Sequence, residues 1–432
     1  MNQWIRDGLT CNLPEGDGFP CLIPVRQLVE EEEVADLGAA TRGAMEQLNL
    51  EQRLSPGDRV LIAAGSRGIR DIVRLLDLIC DYLRDMQVEP VILGAMGSHG
   101  GGTPEGQEKV LASLGITEER LGARVITSNC AEVVGRDEAG RDVYCDPLVF
   151  EYDGLLAVNR VKAHTTIRGD IQSGILKMLV VGLGHQQGAE ALHRNPPAQL
   201  SEALVQMGTL LAEKTPFLGG VGIVENASKH SAVIMGLNPE ALGEQEKRML
   251  ERAQELLPTL PFSRADVLVI QRMGKDFSGT GMDTNVIGRL RIEGTVSPGN
   301  PEIGSIAVLD LTEASHGNAC GLGLADFITA RLAAKIDLQA TYLNVFTSRL
   351  TMRAMIPMIV KTDRDAVAAG IITSGVKDPR DLRLAVISDT LHLDTLWVTP
   401  ALWKDICDRS GVDRAGPEIP LEFDEQGALL IG

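Results

Sequence analysis

Short aliphatic runs alternate with amphipathic stretches along this 432-residue chain, and this alternation restricts its fold more than any other feature. Near-continuous apolar runs of this length are typical of strands buried on both faces of a parallel sheet. Helices are predicted between several of them, including 70–85 and a segment that begins with Thr103-Pro104-Glu105. The pattern indicates an α/β protein. The predicted strands are 59–65, 88–97, 123–129, 154–159, 219–226, 266–274, 305–312, 337–347 and 382–389.

A charged helical segment, 238–262, interrupts the alternation. It contains Pro258 and Pro261, which end a helix, and a new strand-like run follows. A chain of this length exceeds what one hydrophobic core usually serves. We therefore predict two α/β lobes, an N-terminal domain 1–258 and a C-terminal domain 259–432, with the active site in the cleft between the lobes.

Composition argues against several classes of function. The net charge of −18 opposes binding to nucleic acid or to an anionic membrane surface. The seven cysteines include no CxxC pair, so neither a disulfide framework nor a structural zinc site is indicated, and their spacing does not suit an iron–sulfur cluster. No apolar run approaches the roughly 20 residues of a membrane helix, and the N-terminus lacks a signal-peptide pattern. We expect a cytoplasmic protein without nucleic-acid or membrane partners.

Polar residues follow the predicted strands, which is where ligands bind in open α/β sheets. A run of three glycines, 100–102, precedes a capped helix, so its backbone N–H groups can approach a phosphate or carboxylate closely. The alternative is a tight turn beside a solvated histidine. The polar residues at these strand ends are Ser66, Arg67, His99, Thr103 and His164.

The segment 161–193 places ionisable side chains among aliphatic ones. Apolar periodicity predicts a helix over 171–179, where Lys177 has aliphatic neighbours. Its amine either snorkels to solvent or is desolvated, and desolvation would make it a better nucleophile. His185 and His193 lack the i, i+4 spacing of a zinc site. The glycine pattern 182–188 is one residue longer than a dinucleotide-binding fingerprint.

Three motifs carry a resemblance to a known family. They are VNRVKAHTTIRGDIQSGILKMLVVGLGHQQGAEALH (158–193), GSHGGGTPEG (97–106) and TEASHGNACGLGLADF (312–327). Together they resemble the nickel-pincer lactate racemase family, in its branch of isomerase-like homologues without an assigned substrate. The resemblance spans both predicted lobes.

The resemblance implies a nickel ion held by a pyridinium-derived mononucleotide with two sulfur-containing arms. It implies that Lys177 tethers this cofactor, that His193 binds nickel, and that His99 and His164 are acid/base partners on opposite faces of the substrate. The implied reaction is racemisation or epimerisation of a small anionic 2-hydroxy acid, or a sugar-acid-like substrate, by reversible hydride transfer. The enzymes that synthesise the cofactor are the implied protein partners.

Further residues are candidates for binding the cofactor and the substrate. Lactate-specific members of the family carry an Asp-Arg pair where this chain has Ser66-Arg67, which argues against lactate itself. Arg67 could hold the cofactor phosphate or clamp a substrate carboxylate. His185, His230 and His392 have no assigned role. Candidates for the cofactor phosphate are Ser66, Arg67, Gly100, Gly101, Gly102 and Thr103, and those for the substrate are Lys275, Asp276, Arg289 and His316.

Two other functions fit the sequence. A non-catalytic cofactor- or anion-binding protein of the same fold would still bind its ligand after replacement of His99 and His164. A mononuclear zinc hydrolase would use His99, His164 and His193 as metal ligands. A mass attached to Lys177 would argue against the hydrolase.

Overall fold

The computed structural model describes residues 7–14, 18–29, 31–66, 68–97, 99–292, 295, 297 and 299–431. The chain forms two compact units. The continuous unit is Glu30–Leu257, and the composite unit joins Met1–Val29 to Pro258–Gly432. The first strand, β1 (Cys21–Gln27), pairs with three strands near the C-terminus, which explains why the composite unit is split. The predicted domains, 1–258 and 259–432, differ from these two units mainly at the N-terminus. The prediction assigned the first 29 residues to the first domain, whereas the structure places them in the composite unit.

The continuous unit is built on a six-stranded sheet with the order β4-β3-β2-β7-β8-β9. All neighbours in it are parallel except β8 and β9, and β5 and β6 form a separate hairpin. Apolar side chains cover both faces of the sheet. The strands are β2 (Arg59–Ala64), β3 (Glu89–Gly94), β4 (Arg124–Thr127), β5 (Glu132–Arg136), β6 (Asp142–Cys145), β7 (Gly154–Arg160), β8 (Phe217–Glu225) and β9 (Ser231–Leu237).

The helices of this unit follow local sequence signals. Thr103 caps its helix as expected, and its hydroxyl accepts the Gly106 N–H at 3.2 Å. The helix expected over 171–179 starts only at Ile175, because Gly174 adopts φ 91° outside the helix. A π-helix, Met178–Gly182, follows directly. The α-helices are Leu37–Gln47, Ile72–Asp85, Pro104–Ser113, Glu118–Leu121, Ile175–Lys177, His185–His193, Leu200–Lys214 and Leu242–Glu255.

The composite unit contains a larger mixed sheet with the order β13-β12-β11-β10-β14-β15-β1-β16, and β17 pairs with β1. The strands from β13 to β14 are parallel, and β15 and β1 are antiparallel to their neighbours. These strands are β10 (Arg264–Met273), β11 (Glu302–Leu311), β12 (Phe327–Thr329), β13 (Met358–Val360), β14 (Leu384–Ile387), β15 (Thr395–Val398), β16 (Val412–Arg414) and β17 (Ile419–Pro420). The α-helices are Ala330–Lys335, Leu338–Ser348, Asp363–Ser374 and Pro400–Ile406.

One predicted strand is wrong. The run 337–347 is a helix, Leu338–Ser348, and its N-cap is Asp337, whose side chain accepts the Ala340 N–H at 2.9 Å. Its β-branched and aromatic residues favour a strand, but a spacing of four residues places Leu338 and Tyr342 on one face of a helix. The other predicted strands are confirmed near their expected positions. No helix in the described part of the chain is long and apolar enough to cross a membrane.

Both sheets reverse their strand order at one place. In the continuous unit β3 and β7 flank β2, and in the composite unit β11 and β14 flank β10. At such a topological switch point, loops leave the carboxyl ends of adjacent strands in opposite directions and open a crevice for ligands. Each unit therefore offers one switch point as a candidate site.

Candidate functional site

Two candidate residues meet at the switch point of the continuous unit. Ser66 follows β2, and its hydroxyl is hydrogen-bonded to Nδ1 of His99, which follows the neighbouring strand β3. His164 follows β7, which pairs with β2 on its other side. Parallel pairing thus brings the ends of three strands to one edge of the sheet. Arg67 lies outside the described residues.

The glycine loop beside His99 needs glycine for its shape. Gly100, Gly101 and Gly102 have φ values of 66°, 71° and 67°, in the left-handed region that other residues rarely adopt. A Cβ on Gly100 would lie 2.5 Å from the carbonyl carbon of Gly106, so this glycine allows the loop to pack on the next helix. A Cβ on Gly101 would meet nothing within 4 Å. The backbone at Gly101 therefore faces open space.

Hydrogen bonds fix the ring of His164. Its Nδ1 accepts the backbone N–H groups of Thr166 and Ile167, both at 3.1 Å. Its own backbone N–H donates to Oε1 of Gln172 at 2.8 Å. With the Nδ1 lone pair occupied, a neutral ring carries its proton on Nε2. His164 is therefore arranged as a hydrogen-bond donor through Nε2.

The residues just before the Lys177 helix are fastened to the end of β7. The Ser173 hydroxyl accepts the N–H of Lys162 and donates to its carbonyl, both at 2.7 Å. The side-chain amide of Asn159 donates to the carbonyl of Gly174 at 2.7 Å. The start of the Lys177 helix and the loop that carries His164 are consequently held together.

Glu246 is buried at the start of the same helix. Its Oε2 accepts the N–H groups of Ile175 and Leu176 at 3.0 and 3.1 Å, which partners two of the free donors at the helix N-terminus. The side chain is only 1% exposed, and burial raises its pKa to about 8 despite these bonds. Oε1 has no hydrogen-bond partner in the described part of the chain. A Cβ on Gly174 would lie 2.4 Å from this oxygen, so the position requires glycine.

Glu246 was not predicted from the sequence as a functional residue, although a signal was present. In the helix Leu242–Glu255 the buried positions recur at helical spacing, and Glu246 is one of them. An acidic residue on the apolar face of a helix needs a partner. That partner, the Ile175 backbone, is 71 residues away in the sequence.

Glycines also bring the Lys177 segment close to the ends of β2 and β3. Lys177 is half-buried and ends its short helix. A Cβ on Gly65 would lie 3.2 Å from Cε of Met178, and one on Gly97 would lie 3.2 Å from Cγ1 of Val181. Lys177 is thus in a segment that packs against the same strand ends as Ser66 and His99. Short π-helices such as Met178–Gly182 are frequent at functional sites.

The two histidines of the helix His185–His193 differ in environment. His185 is buried, and its Nε2 is 2.8 Å from Oδ2 of the buried Asp146. A Cβ on Gly102 would lie 3.5 Å from Oε1 of Gln186, so the glycine loop reaches this end of the helix. His193 is half-buried at the other end, about 10 Å along the axis from Gln186 at 1.5 Å per residue.

The predicted substrate contacts of the second lobe all lie in the composite unit. The Lys275 amine donates to the Gly279 carbonyl at 2.6 Å and to Oδ1 of Asn344 at 2.5 Å. Oδ1 of Asp276 accepts the Thr312 hydroxyl at 2.6 Å. Both residues follow β10 and are held by bonds within their own unit.

Arg289 and His316, the other two predicted substrate contacts, have different surroundings from Lys275 and Asp276. Arg289 donates to Oδ2 of Asp326 at 2.6 Å and to the carbonyls of Leu324 and Ile303 at 2.9 and 3.0 Å. These bonds tie the loop after β10 to the start of β12. His316 is exposed in a left-handed turn after β11.

The same switch point carries a histidine without a predicted role. His392 follows β14, and its Nδ1 lies 2.9 Å from Oδ2 of the buried Asp389. Its ring stands edge-on to Phe277, with 5.9 Å between centroids. The Asp389 carboxylate and the Phe277 ring therefore orient the His392 imidazole at the end of β14.

No three His, Cys, Asp or Glu side chains among the described residues are grouped so that they could hold a metal ion. A mononuclear zinc site at His99, His164 and His193 would need such a group. The geometry therefore gives no support to the zinc hydrolase alternative. A metal whose other donors belong to a bound cofactor needs only one side chain from the protein.

Comparisons with known proteins give similarity in structure only. No family model matches the chain, and no curated protein matches it. The lactate racemase apoprotein from Thermoanaerobacterium thermosaccharolyticum is 14% identical, with 84% of this chain and 94% of that chain covered and a TM-score of 0.49. A protein from Thermotoga maritima is also 14% identical, with 65% and 72% covered and a TM-score of 0.45. Neither similarity bears on activity or substrate.

Proposed function

We propose that the chain is a nickel-pincer-dependent racemase or epimerase of a small 2-hydroxy acid or sugar-acid-like substrate. The observation that carries the proposal is the meeting of Ser66, His99 and the segment that contains Lys177 at the switch point of the continuous unit. His164 leaves the adjacent strand of the same edge. The sequence resemblance assigns acid/base roles to His99 and His164 and the tether to Lys177, and Ser66 is a candidate for the cofactor phosphate.

The residues of this edge suit a phosphorylated cofactor. The open backbone at Gly101, together with the helix N-terminus capped by Thr103, provides N–H groups that favour an anion. Ser66 and the glycine loop would hold the phosphate, Lys177 would form the tether, and His193 would supply one imidazole to nickel. When bound, such a cofactor would supply reversible hydride acceptance.

The two histidines then move the hydroxyl proton of the substrate. When Nδ1–H of His99 donates to Ser66, the Nε2 lone pair can accept that proton. In the arrangement described above, neutral His164 donates a hydrogen bond from Nε2 but cannot release that proton, because an imidazolate would result. To act as the acid, as an imidazolium, or as the base through Nε2, His164 must carry a proton on Nδ1, so the N–H groups of Thr166 and Ile167 must turn away. Local movement of residues 165–167 is therefore part of the proposed cycle.

Chiral chromatography of a panel of 2-hydroxy acids tests this function. The protein would be produced together with the cofactor-biosynthesis enzymes, as wild type, His99→Asn, His164→Asn and His230→Asn. The last is the matched control, because His230 contacts Glu33 and lies on the loop between β8 and β9. We expect wild type and control to invert at least one acid, and each active-site variant to lose at least about 100-fold in rate.

A different result would favour the non-catalytic alternative. If all four proteins contain nickel but none inverts any acid, the edge binds a cofactor without turnover. If His230→Asn loses as much activity as His99→Asn, the assignment of acid/base roles is wrong.

A further inference from the structure

The composite unit exposes a concentrated apolar surface. Of the fourteen large hydrophobic side chains that are exposed in the described part of the chain, eight lie between residues 338 and 358. Scattered exposed hydrophobic side chains are normal, but a cluster of this size marks an interaction site. We call it the 338–358 surface. Its members are Leu338, Tyr342, Leu343, Phe346, Met352, Met355, Ile356 and Met358.

These side chains lie on consecutive elements of the composite unit. Four of them lie on the helix Leu338–Ser348, and Phe346 is 75% exposed. The 3-10 turn Thr351–Ala354 packs back on that helix, and the chain then runs into β13, the edge strand of the sheet. Leu9 bridges to Val360 on β13 and is also exposed, so it extends the surface.

Charge distinguishes this surface from the rest of the molecule. The chain has 59 acidic residues in 432, about one in seven, and a net charge of −18. No acidic residue occurs between Asp337 and Asp363. Two copies of this protein, each with a large negative charge, would repel each other, and the 338–358 surface adds no carboxylate to that repulsion.

The exposed area is of the size that a dimer needs. Each of the eight side chains offers roughly 80 to 180 Å², or on the order of 900 Å² together. A standard interface buries about 800 Å² on each partner. Three methionines, Met352, Met355 and Met358, give the surface side chains that adapt their shape to a partner.

We infer that the 338–358 surface is the self-complementary interface of a homodimer related by twofold symmetry. An apolar surface without carboxylates can face a copy of itself without bringing two carboxylates together, and the charged side chain exposed between residues 338 and 358 is that of Arg349. The inference does not rest on the proposed isomerase activity, because it uses none of the residues proposed to hold the cofactor or to move the proton of the substrate.

Sedimentation equilibrium between 1 and about 100 µM tests the dimer at a physiological salt concentration. The variant Leu343→Glu/Phe346→Glu places two carboxylates on the surface. Phe150→Glu is the matched control, because Phe150 is 50% exposed on the continuous unit. We expect wild type and control to dimerise alike, and the double variant to dissociate at least about 100-fold more readily. An unchanged far-UV circular dichroism spectrum and a cooperative thermal transition of the monomeric variant would show that it is folded.

Three results would overturn the inference. One is a wild-type protein that stays monomeric at the highest concentration. Another is a dimer that the double variant does not weaken. The third is a monomer that floats with phosphatidylcholine vesicles through this surface, which would assign the surface to lipid.

Discussion

The two switch points share their topology but differ in what stands at the strand ends. In the continuous unit the ends of β2 and β3 carry Gly65 and Gly97, which let the Lys177 segment pack closely against them. In the composite unit the side chains after β10 form hydrogen bonds within their own unit, such as those of Lys275 to the Gly279 carbonyl and to Asn344. At the edge of the continuous unit, glycines allow the backbone of neighbouring segments to approach closely. At the edge of the composite unit, side-chain hydrogen bonds hold the loops in place.

This difference shows that topology alone does not create a site. A switch point provides a crevice, but the residues at its edge decide whether backbone N–H groups and imidazoles are available to a ligand. Gly101 leaves its backbone open, whereas the Asp276 carboxylate is already bonded to Thr312. The proposed chemistry uses the edge of the continuous unit, so we expect substitutions at the two edges to have different effects.

The largest effect is expected for Gly100→Ala. The new methyl group would lie 2.5 Å from the carbonyl carbon of Gly106 at a φ of 66°, so the loop must move. We expect a loss of roughly 2–4 kcal/mol in the free energy of unfolding, and loss of nickel from protein made with the cofactor-biosynthesis enzymes. Gly101→Ala is the control, because only the strain of φ 71° opposes it, at about 1 kcal/mol. Equal losses in both variants would contradict the packing role of Gly100.

A pH-dependent effect is expected for Glu246→Gln. The pKa of Glu246 is raised from 4.5 to about 8. The folded protein therefore holds a proton that the unfolded chain releases between these values. This contribution is complete below pH 4.5 and declines by about 1.4 kcal/mol per pH unit up to pH 8.

Glutamine cannot lose a proton, so the variant lacks this decline. Urea denaturation at pH 6 and pH 8 should show the stability of Glu246→Gln rising relative to wild type, by about 2 kcal/mol over that interval. A difference that is the same at both pH values would mean that Glu246 is ionised when buried.

A smaller effect is expected for Lys275→Met in the composite unit. The variant keeps the length of the side chain but loses the bonds to the Gly279 carbonyl and to Asn344. We expect a loss of about 1–2 kcal/mol in the free energy of unfolding, with nickel content unchanged. Loss of nickel in this variant would show that the composite edge contributes to cofactor binding.

The smallest effect is expected for His392→Asn. Asp389 would keep the backbone N–H groups of Leu391 and residue 392, which it accepts at 2.8 and 2.9 Å. We expect a change within about 0.5 kcal/mol in stability and no change in the rate of inversion. A large loss of activity would move part of the chemistry to the composite edge.

Local pattern was enough to predict most of the sheet strands and the glycine loop. The runs that became β2, β3 and β7 are apolar along their length, and Thr103-Pro104-Glu105 marks the start of its helix. The strand predicted over 337–347 was wrong because β-branched and aromatic residues also occur in a helix that exposes one face. The pairing of β1 with β15 and β16 could not be predicted, since almost the whole chain separates these strands.

The site shows the same division between local and long-range information. His99 and His164 could be selected because each follows an apolar strand. The tautomer of His164 depends on where two backbone N–H groups point, and no spacing encodes that. The cap that Glu246 provides to the Lys177 helix joins residues about 70 positions apart, so only the folded chain reveals it.

The most direct test of the central claim is an intact-mass spectrum and a nickel assay of protein produced with the cofactor-biosynthesis enzymes. Lys177→Ala would be compared with Lys214→Ala, an exposed lysine at the end of the helix Leu200–Lys214. We predict a nucleotide-sized mass on Lys177 and bound nickel in wild type and in Lys214→Ala, with both lost in Lys177→Ala. An unmodified wild-type mass without nickel, or a mass that persists in Lys177→Ala, would contradict the assignment of this edge as a cofactor site.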